Sequence, residues 1–526
     1  MLTDKNIAHG ISSISQRAER IPDNDKVIQT YVEVGILPQI TNKNNQIIYG
    51  RRGTGKTHLL RYLENELIKK GPCITVYLDC RTLGSASEYN NPGMLLGRRC
   101  ATLFKDIIDQ LYDRALHFIA YRAPRDAERA IEALDNISSA SRFRADESTS
   151  IEITERILEK GASESSASLS VNPLNLSLGG KDAQGRDIET TKKYNVQNTE
   201  TILFPDLNYW MHKLVDYCGA QVYFLIDEWS SLPIDIQPYL AEFFRRSFLP
   251  MPQITVKIAA LEYRSNFTIQ REKNHHIGFE LGSDISTNLD LDDYYVVDRN
   301  PNAITNNFGE MLFKHISNEL EENYLYRYFD VSDGREMIRT LFTDPNNFQE
   351  LVRASEGVIR DMINIFTLSF FDTQRQGKAK IDKKSVIESS RQWFERDKAQ
   401  SLDGDLQTIL RKIVDEVIGN RKARSFLIPR ELEKHDNLQK LFDARVIHLI
   451  KRGYADKDNP GVRYNVFGLD YGTYVDLLNT NRKPELEWLD EDYRTEDDAF
   501  IVPFDDRRSI RRIILSEAIL SSSHLL

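Results

Sequence analysis

Gln46-Ile-Ile-Tyr49-Gly50-Arg51-Arg52-Gly53-Thr54-Gly55-Lys56-Thr57-His58 decides the reading of this chain. Its first four residues are a short apolar strand, and the residues from His58 to Lys70 repeat their apolar positions at helical spacing, so the stretch reads as strand, loop, helix. Gly50, Gly53 and Gly55 let the loop backbone wrap with its N–H groups turned inward, and the following helix N-terminus adds positive potential. Lys56 then reaches β- and γ-phosphates and Thr57 offers a hydroxyl to Mg²⁺, which makes residues 50–58, Gly50 through His58, a nucleotide-phosphate cradle.

A cradle of this kind needs an acidic partner on a neighbouring strand. Gln221-Val-Tyr-Phe-Leu-Ile226 is a buried-strand run ending in Asp227-Glu228. Asp227 is the expected Mg²⁺ ligand, directly or through water, and Glu228 the expected base or water-positioner. The implied fold class is α/β, a doubly wound parallel sheet of P-loop type, and the implied cofactors are ATP and Mg²⁺.

With these residues in place the chain resembles AAA+ ATPases, specifically the branch of origin-recognition and archaeal replication initiators and the related STAND signalling ATPases. The resemblance spans about residues 25–400. It implies a fourth core strand, for which Ile254–Leu261 is suited, ending in a sensor near Glu262-Tyr-Arg264-Ser265, although the usual Asn or Thr is missing there. It also implies a second sensor arginine, and Ser355-Glu-Gly357-Val-Ile-Arg360 has the Gly-x-x-Arg pattern that would place Arg360 at the γ-phosphate. Arg245, Arg246 and Arg264 are candidates for a finger acting in an oligomer, although each by itself reads better as an ordinary surface arginine.

Asp227 lies 171 positions after Lys56, more than one or two βα units require, so the core carries an insertion. The expected organisation is an N-terminal segment 1–44, a nucleotide-binding core 45–300 with a flexible insertion at about 123–200, a helical lid 301–400, a winged helix 404–478, and an acidic tail 479–526 with a short terminal helix. Within the insertion, Ser138 to Ser177 holds 11 serines, and Leu169–Leu178 alternates about Asn-Pro like a small hairpin. It reads as a linker or as a partner-binding hairpin. Residues 73–79 and 93–121 read as a strand and a long helix; 277–284 and 293–297 read as further strands, the second closing the sheet. Helices are expected at 303–320, 334–343, 346–372 and 383–397. In the winged helix the expectation is a helix at Leu406–Ile418, a second beginning at Pro429, a third over Asn437–Ile450, and strands at 452–456 and 462–467. Lys440, Arg445, Lys451, Arg452 and Arg463 are the set that could meet duplex DNA.

The 526 residues carry 69 Lys plus Arg against 79 Asp plus Glu, a net charge of -10, which excludes a histone-like basic coat. Residues 485–508 alone hold ten acids against three arginines, so most of that charge is local, and the tail reads as a solvated acidic linker or as a segment that docks on a basic face and masks the winged helix. No Cys-x-x-Cys pair occurs among Cys73, Cys80, Cys100 and Cys218, which read as reduced thiols. With no signal-like start and no long apolar run, the chain is expected to be cytoplasmic, with no membrane partner. Two functions remain open. One is an ATP-hydrolysing AAA+ ATPase, forming nucleotide-dependent homo-oligomers, whose nucleotide state governs assembly and engagement of DNA or a partner. The other is a slow-turnover nucleotide switch that licenses a separate effector protein, for example in bacterial defence, without acting on DNA.

Overall fold

The computed structural model describes residues 1–14, 24–84, 93, 96–141, 202–271, 275–456, 461–477 and 513–521, with the backbone of short strands at 143–144, 151–157, 188–194 and 200–201. Five parallel strands form the central sheet: β1 (Gln46–Tyr49), β2 (Cys73–Asp79), β3 (Gln221–Asp227), β4 (Ile254–Ala260) and β5 (Ser286–Asp290), in the spatial order β5-β1-β4-β3-β2. Side chains alternate between the two faces of each strand. Ile47, Val76, Phe224 and Ile258 meet helices α2 (Leu96–Arg122), α3 (Ala127–Ser141), α4 (Phe204–Cys218) and α5 (Gln237–Ser247) on one face. Ile48, Tyr77, Leu225 and Ala259 meet α1 (Lys56–Lys70) and the lid on the other.

The register brings the chemistry to one edge. Asp79 pairs with Asp227, Ile226 with Ile258, and Tyr49 with both Ala260 and Asp290, so the strands end together and the residues that follow them share one rim. Ligands of open α/β sheets sit beyond such carboxyl ends.

Several expectations are corrected. The sheet closes on β5, and residues 291–294 form a 3-10 turn; Tyr295 and Val297 are apolar because they are buried in the lid core. Residues 276–278 pair antiparallel with 268–270 in a ribbon separate from the main sheet. Residues 127–141, expected within a flexible insertion, form α3, whose Ala130, Leu134 and Ile137 are buried beside α2 and α4. The proposed hairpin at 169–178 lies outside the described residues. All four cysteines are free thiols, three of them buried.

The lid is built from α6 (Pro301–Asn318), a short helix Tyr324–Phe329, α7 (Gly334–Leu341), α8 (Pro345–Ala354), α9 (Ile359–Arg375) and α10 (Lys383–Trp393). Their starts follow from the sequence: Asn300, Asp333, Asp344 and Asp382 each accept a backbone N–H of the first turn. The single helix expected over 346–372 is two helices, broken where Glu356 and Gly357 adopt positive φ. A Cβ on Gly357 would collide with the carbonyl oxygen of Tyr295, so only glycine fits.

The winged-helix unit comprises α11 (Gly404–Val414), β6 (Ser425–Pro429), α12 (Asp436–Asp443), β7 (Ile447–Ala455) and β8 (Arg463–Leu469), its sheet ordered β6-β8-β7. Residues 430–434 are a 3-10 turn in place of an α-helix. The helix expected to reach Ile450 stops at Asp443, because Arg445 takes the left-handed conformation and the chain turns into β7. The last described segment, expected as one helix, is extended at 513–516 and helical only at Glu517–Leu520. No helix among the described residues is long and apolar enough to cross a membrane.

Candidate nucleotide site

The loop after β1 lies beneath the lid. Gly53 has φ +87 and its carbonyl accepts the backbone N–H of Arg360 at 3.1 Å; a Cβ on Gly53 would meet the Cβ of Arg360 at 2.7 Å. The Gly-x-x-Arg helix start therefore rests directly on the phosphate loop. Lys56 folds its Nζ back onto the carbonyls of Gly50 (2.7 Å) and Arg51 (2.8 Å). Burial lowers its pKa, opposed by Asp292, Glu228, Asp227 and Asp290, so the acids of two strand ends converge on this amine.

Asp227 is 1% exposed; its Oδ2 accepts from Tyr77 Oη at 2.7 Å and its Oδ1 from the Glu228 backbone N–H at 2.8 Å. Glu228 has φ +54, a strained backbone for a non-glycine residue, which sets its side chain beyond the strand end. Thr57, half-buried in the first turn of α1, and Asp227 offer the side-chain oxygens that could take a Mg²⁺ here. That small set fits an ion that usually keeps waters and takes one or two protein ligands plus phosphate oxygens. Thr54 is internal, its hydroxyl donating to the Arg51 carbonyl at 2.9 Å. Gly55, at φ +94, opens α1. His58 turns away from the loop: its Nε2 lies 2.5 Å from the Val27 carbonyl, and Tyr31 packs edge-on against the ring.

Arg51 is the residue whose role changes most. Expected among phosphates, its side chain is instead buried and directed into the lid and winged helix. Its Nε lies 3.1 Å from Asp292, its Nη2 donates to the Glu356 carbonyl at 2.9 Å, and its Nη1 meets Nδ1 of His448 on β7. His448 Nε2 contacts Asp470 at 2.7 Å. Burial, aided by Arg51, lowers the His448 pKa to about 3. The neutral ring thus accepts from Arg51 and donates to Asp470. Asp470 in turn binds Lys398 at 2.5 Å, and Lys398 binds Asp361 on α9 at 3.1 Å.

Sequence reasoning missed Glu262, Asp290 and Asp292, which line a cleft with Gly50, Arg52 and, from the winged helix, Phe442 and Asp443. Arg452 of β7 closes on this group, 2.5 Å from Glu262 and 3.0 Å from Asp290. Burial and the adjacent Asp292 push Asp290 up to about 6, while Arg452 pulls the other way. The signal was present as acids immediately following two strands, the position already recognised at Asp227.

Other singled-out arginines have neighbours. Arg245 bonds Glu242 at 2.9 Å, Arg246 lies over the Phe204 ring, and Arg264 pairs with Asp443 of α12. Of the set assigned to DNA, Arg445 pairs with Asp361 and Asp397, and Arg452 with the rim acids, so neither faces outward as a DNA contact would require. Lys440 and Arg463 are exposed. Among the described residues no group of three or more His, Cys, Asp or Glu could hold a metal.

A parallel sheet ordered β5-β1-β4-β3-β2, with a Gly-rich loop after β1 and acids after β3, is an α/β fold of P-loop form, followed here by a helical lid and a winged helix. A family model described as ORC-CDC6-like matches residues 14–75, the segment that contains the loop, so the likeness to origin-recognition AAA+ proteins holds there. No curated protein matches the chain in sequence. Similar solved structures include the ORC2 protein of Aeropyrum pernix with ADPNP and ADP, at 11% identity over 87% of this chain and 92% of that one, TM-score 0.31. Cdc6p of Pyrobaculum aerophilum is 11% identical over 89% and 97%, TM-score 0.29. The ORC1 protein of Aeropyrum pernix in complex with DNA is 11% identical over 88% and 93%, TM-score 0.26.

Proposed function

We propose that the chain binds Mg·ATP at residues 50–57 and hydrolyses it, and that nucleotide state governs how the lid and winged helix sit on the core, and so engagement of DNA or a partner protein. One observation carries this reading: Lys56, the strand-end acids and the Arg360 helix start converge on one loop, and the winged helix occupies the mouth of the same cleft through Phe442, Asp443 and Arg452. In the reaction Glu228 orients a water for in-line attack on the γ-phosphorus, Lys56 and Arg360 neutralise the developing charge, and Thr57 with Asp227 would hold the metal. The metal, when bound, supplies charge neutralisation at the β- and γ-phosphate oxygens. A nucleotide reaching this cleft has to displace the Lys56 contacts to the loop carbonyls, which ties binding to rearrangement around Arg51.

The test is equilibrium nucleotide binding alongside phosphate release. Lys56→Ala is expected to lose binding by at least ~100-fold, and Glu228→Gln to bind ATP while releasing phosphate at least ~100-fold more slowly. Normal phosphate release from Glu228→Gln removes that residue from its assigned role. The second reading, a slow nucleotide switch that licenses an effector, is favoured by the ion pairs that hold Arg445 and Arg452 inside the protein. Steady hydrolysis stimulated by duplex DNA supports the first reading; single turnover indifferent to DNA supports the second.

A further inference from the structure

If duplex DNA is engaged, two of the five winged-helix cations first assigned to it, Arg445 and Arg452, are held in ion pairs inside the protein, and the lid carries a second cluster of exposed cations. Arg335 and Arg339 stand one turn apart on the exposed face of α7. Residue 381 hydrogen-bonds to both sides of the α7 end, its N–H donating to Leu341 and its carbonyl accepting from Thr343. This brings Lys380 alongside, where its Nζ donates to the Arg339 carbonyl at 2.8 Å. Lys383 and Lys384 follow at once, in the first turn of α10. All five are exposed, and among the described residues none has its charged group within ion-pair distance of a carboxylate, although Lys384 acts at longer range on Glu388 along α10.

The acids nearby are occupied. Glu336 accepts from Ser332 at 2.7 Å, Asp333 caps α7, Asp344 caps α8, Asp382 both caps α10 and binds Lys378 at 2.7 Å, and Glu388 binds Arg391 at 2.6 Å. The placement of Lys383 and Lys384 also runs against local stability. A helix N-terminus already carries positive potential and favours acids, yet this first turn holds two lysines and no acid. The residues between the cations, such as Thr340 and Ala379, offer neither an aromatic ring for stacking a single-stranded base nor an apolar hollow for a peptide.

We propose that Arg335, Arg339, Lys380, Lys383 and Lys384 form a phosphate-tracking face for duplex DNA on the lid, where it would be carried by the helix bundle that rests on the nucleotide loop. This rests on the reading of the chain as a DNA-engaging protein, and concerns only where the contact lies. The contact is to backbone phosphates and is therefore indifferent to sequence.

The experiment measures binding of the full chain to a mixed-sequence duplex by fluorescence anisotropy across a salt series. Wild type is compared with a variant in which all five residues are changed to Gln, with Lys440→Gln/Arg463→Gln, and with a charge-keeping Arg335→Lys/Arg339→Lys variant. Removing one cation from a phosphate lowers the slope of log affinity against log salt by about 0.9. The five-Gln variant is expected to drop by about 4 to 5 in slope and at least ~10-fold in affinity, while the charge-keeping variant holds both. An unchanged slope in the five-Gln variant overturns the proposal, as does weakening confined to Lys440→Gln/Arg463→Gln or an absence of duplex binding at low salt. So does preferential binding of a peptide with the sequence of residues 485–508. ATP binding by the same variant, measured separately, keeps failure of this face distinct from failure of the nucleotide reading, and confirms that the variant is folded.

Discussion

His448 sits between a cation and an anion and is itself uncharged. In the folded chain burial and Arg51 hold its pKa near 3, whereas in the unfolded chain it takes a proton near the ordinary value of 6.5. The folded value is depressed for a base, so its contribution to stability is complete above 6.5 and falls as the pH drops toward 3. Between pH 7 and pH 5 this amounts to about 2 kcal/mol. His448→Gln keeps a donor toward Asp470 and an acceptor toward Arg51 but does not titrate. Urea unfolding of both proteins at pH 7 and pH 5 is expected to show the stability gap between them narrowing by about that amount. A constant gap would mean the imidazole titrates alike in the folded and unfolded chain, and a widening one that it is charged when folded. Arg51 illustrates the limit of a motif: its position marks the phosphate loop, but the direction of its side chain depends on Asp292, Glu356 and His448, which lie 241 to 397 residues away in sequence.

At the scale of elements, the break between α8 and α9 matters more than either helix. Ser355-Glu356-Gly357-Val358 turns the chain so that Arg360 meets Gly53, and the turn depends on Gly357 at φ +77 against the Tyr295 carbonyl. Gly357→Ala is expected to cost about 3 kcal/mol, from left-handed strain together with displacement of Tyr295, and to weaken ATP binding along with stability. Urea midpoints and nucleotide titration of the same variant check both. The legible elements were those whose local pattern and tertiary role agree: β1, α1 and β3 are contiguous, strongly patterned and central. Elements were missed where the two diverge. Edge strand β5, Ser-Thr-Asn-Leu-Asp, has one neighbouring strand and buries only Leu289, so it carries almost no apolar signal, while Tyr294 to Val297 carries a strong one although it packs under the lid without joining the sheet. Residues 437–450 satisfy a helical period throughout, yet the left-handed turn at Arg445 is stabilised by Asp361 and Asp397, partners no local window contains. In the same way the acids at 262, 290 and 292 became recognisable as one group only when the strand order brought the ends of β4 and β5 to one rim.

Across the whole molecule, the winged helix is completed from a distance. The Leu427 N–H on edge strand β6 donates to Ile513, and Leu515 donates back to Leu427, so the late segment runs parallel along that edge. Ile513, Leu515 and Leu520 are buried there, and Asn437 at the start of α12 donates to the Leu520 carbonyl at 2.9 Å. Burial of three aliphatic side chains represents about 6 kcal/mol before the cost of ordering the segment, so deleting residues 513–526 is expected to destabilise the unit by less than that. It also uncovers a strand edge, and light scattering of the deleted chain is expected to show concentration-dependent association. A strictly monomeric deletion variant would mean β6 is covered by something other than this strap.

That strap also imposes an order on birth. During synthesis at about 5 to 20 residues per second, Leu427 emerges on the order of ten seconds before Ile513. Throughout that interval β6 is made but unpaired on one side, with its hydrophobic sockets vacant. A ribosome paused between those two codons would therefore hold a winged helix with an adhesive flank, so slow decoding in that interval should raise the yield of aggregated chain more than slow decoding anywhere in the nucleotide-binding core.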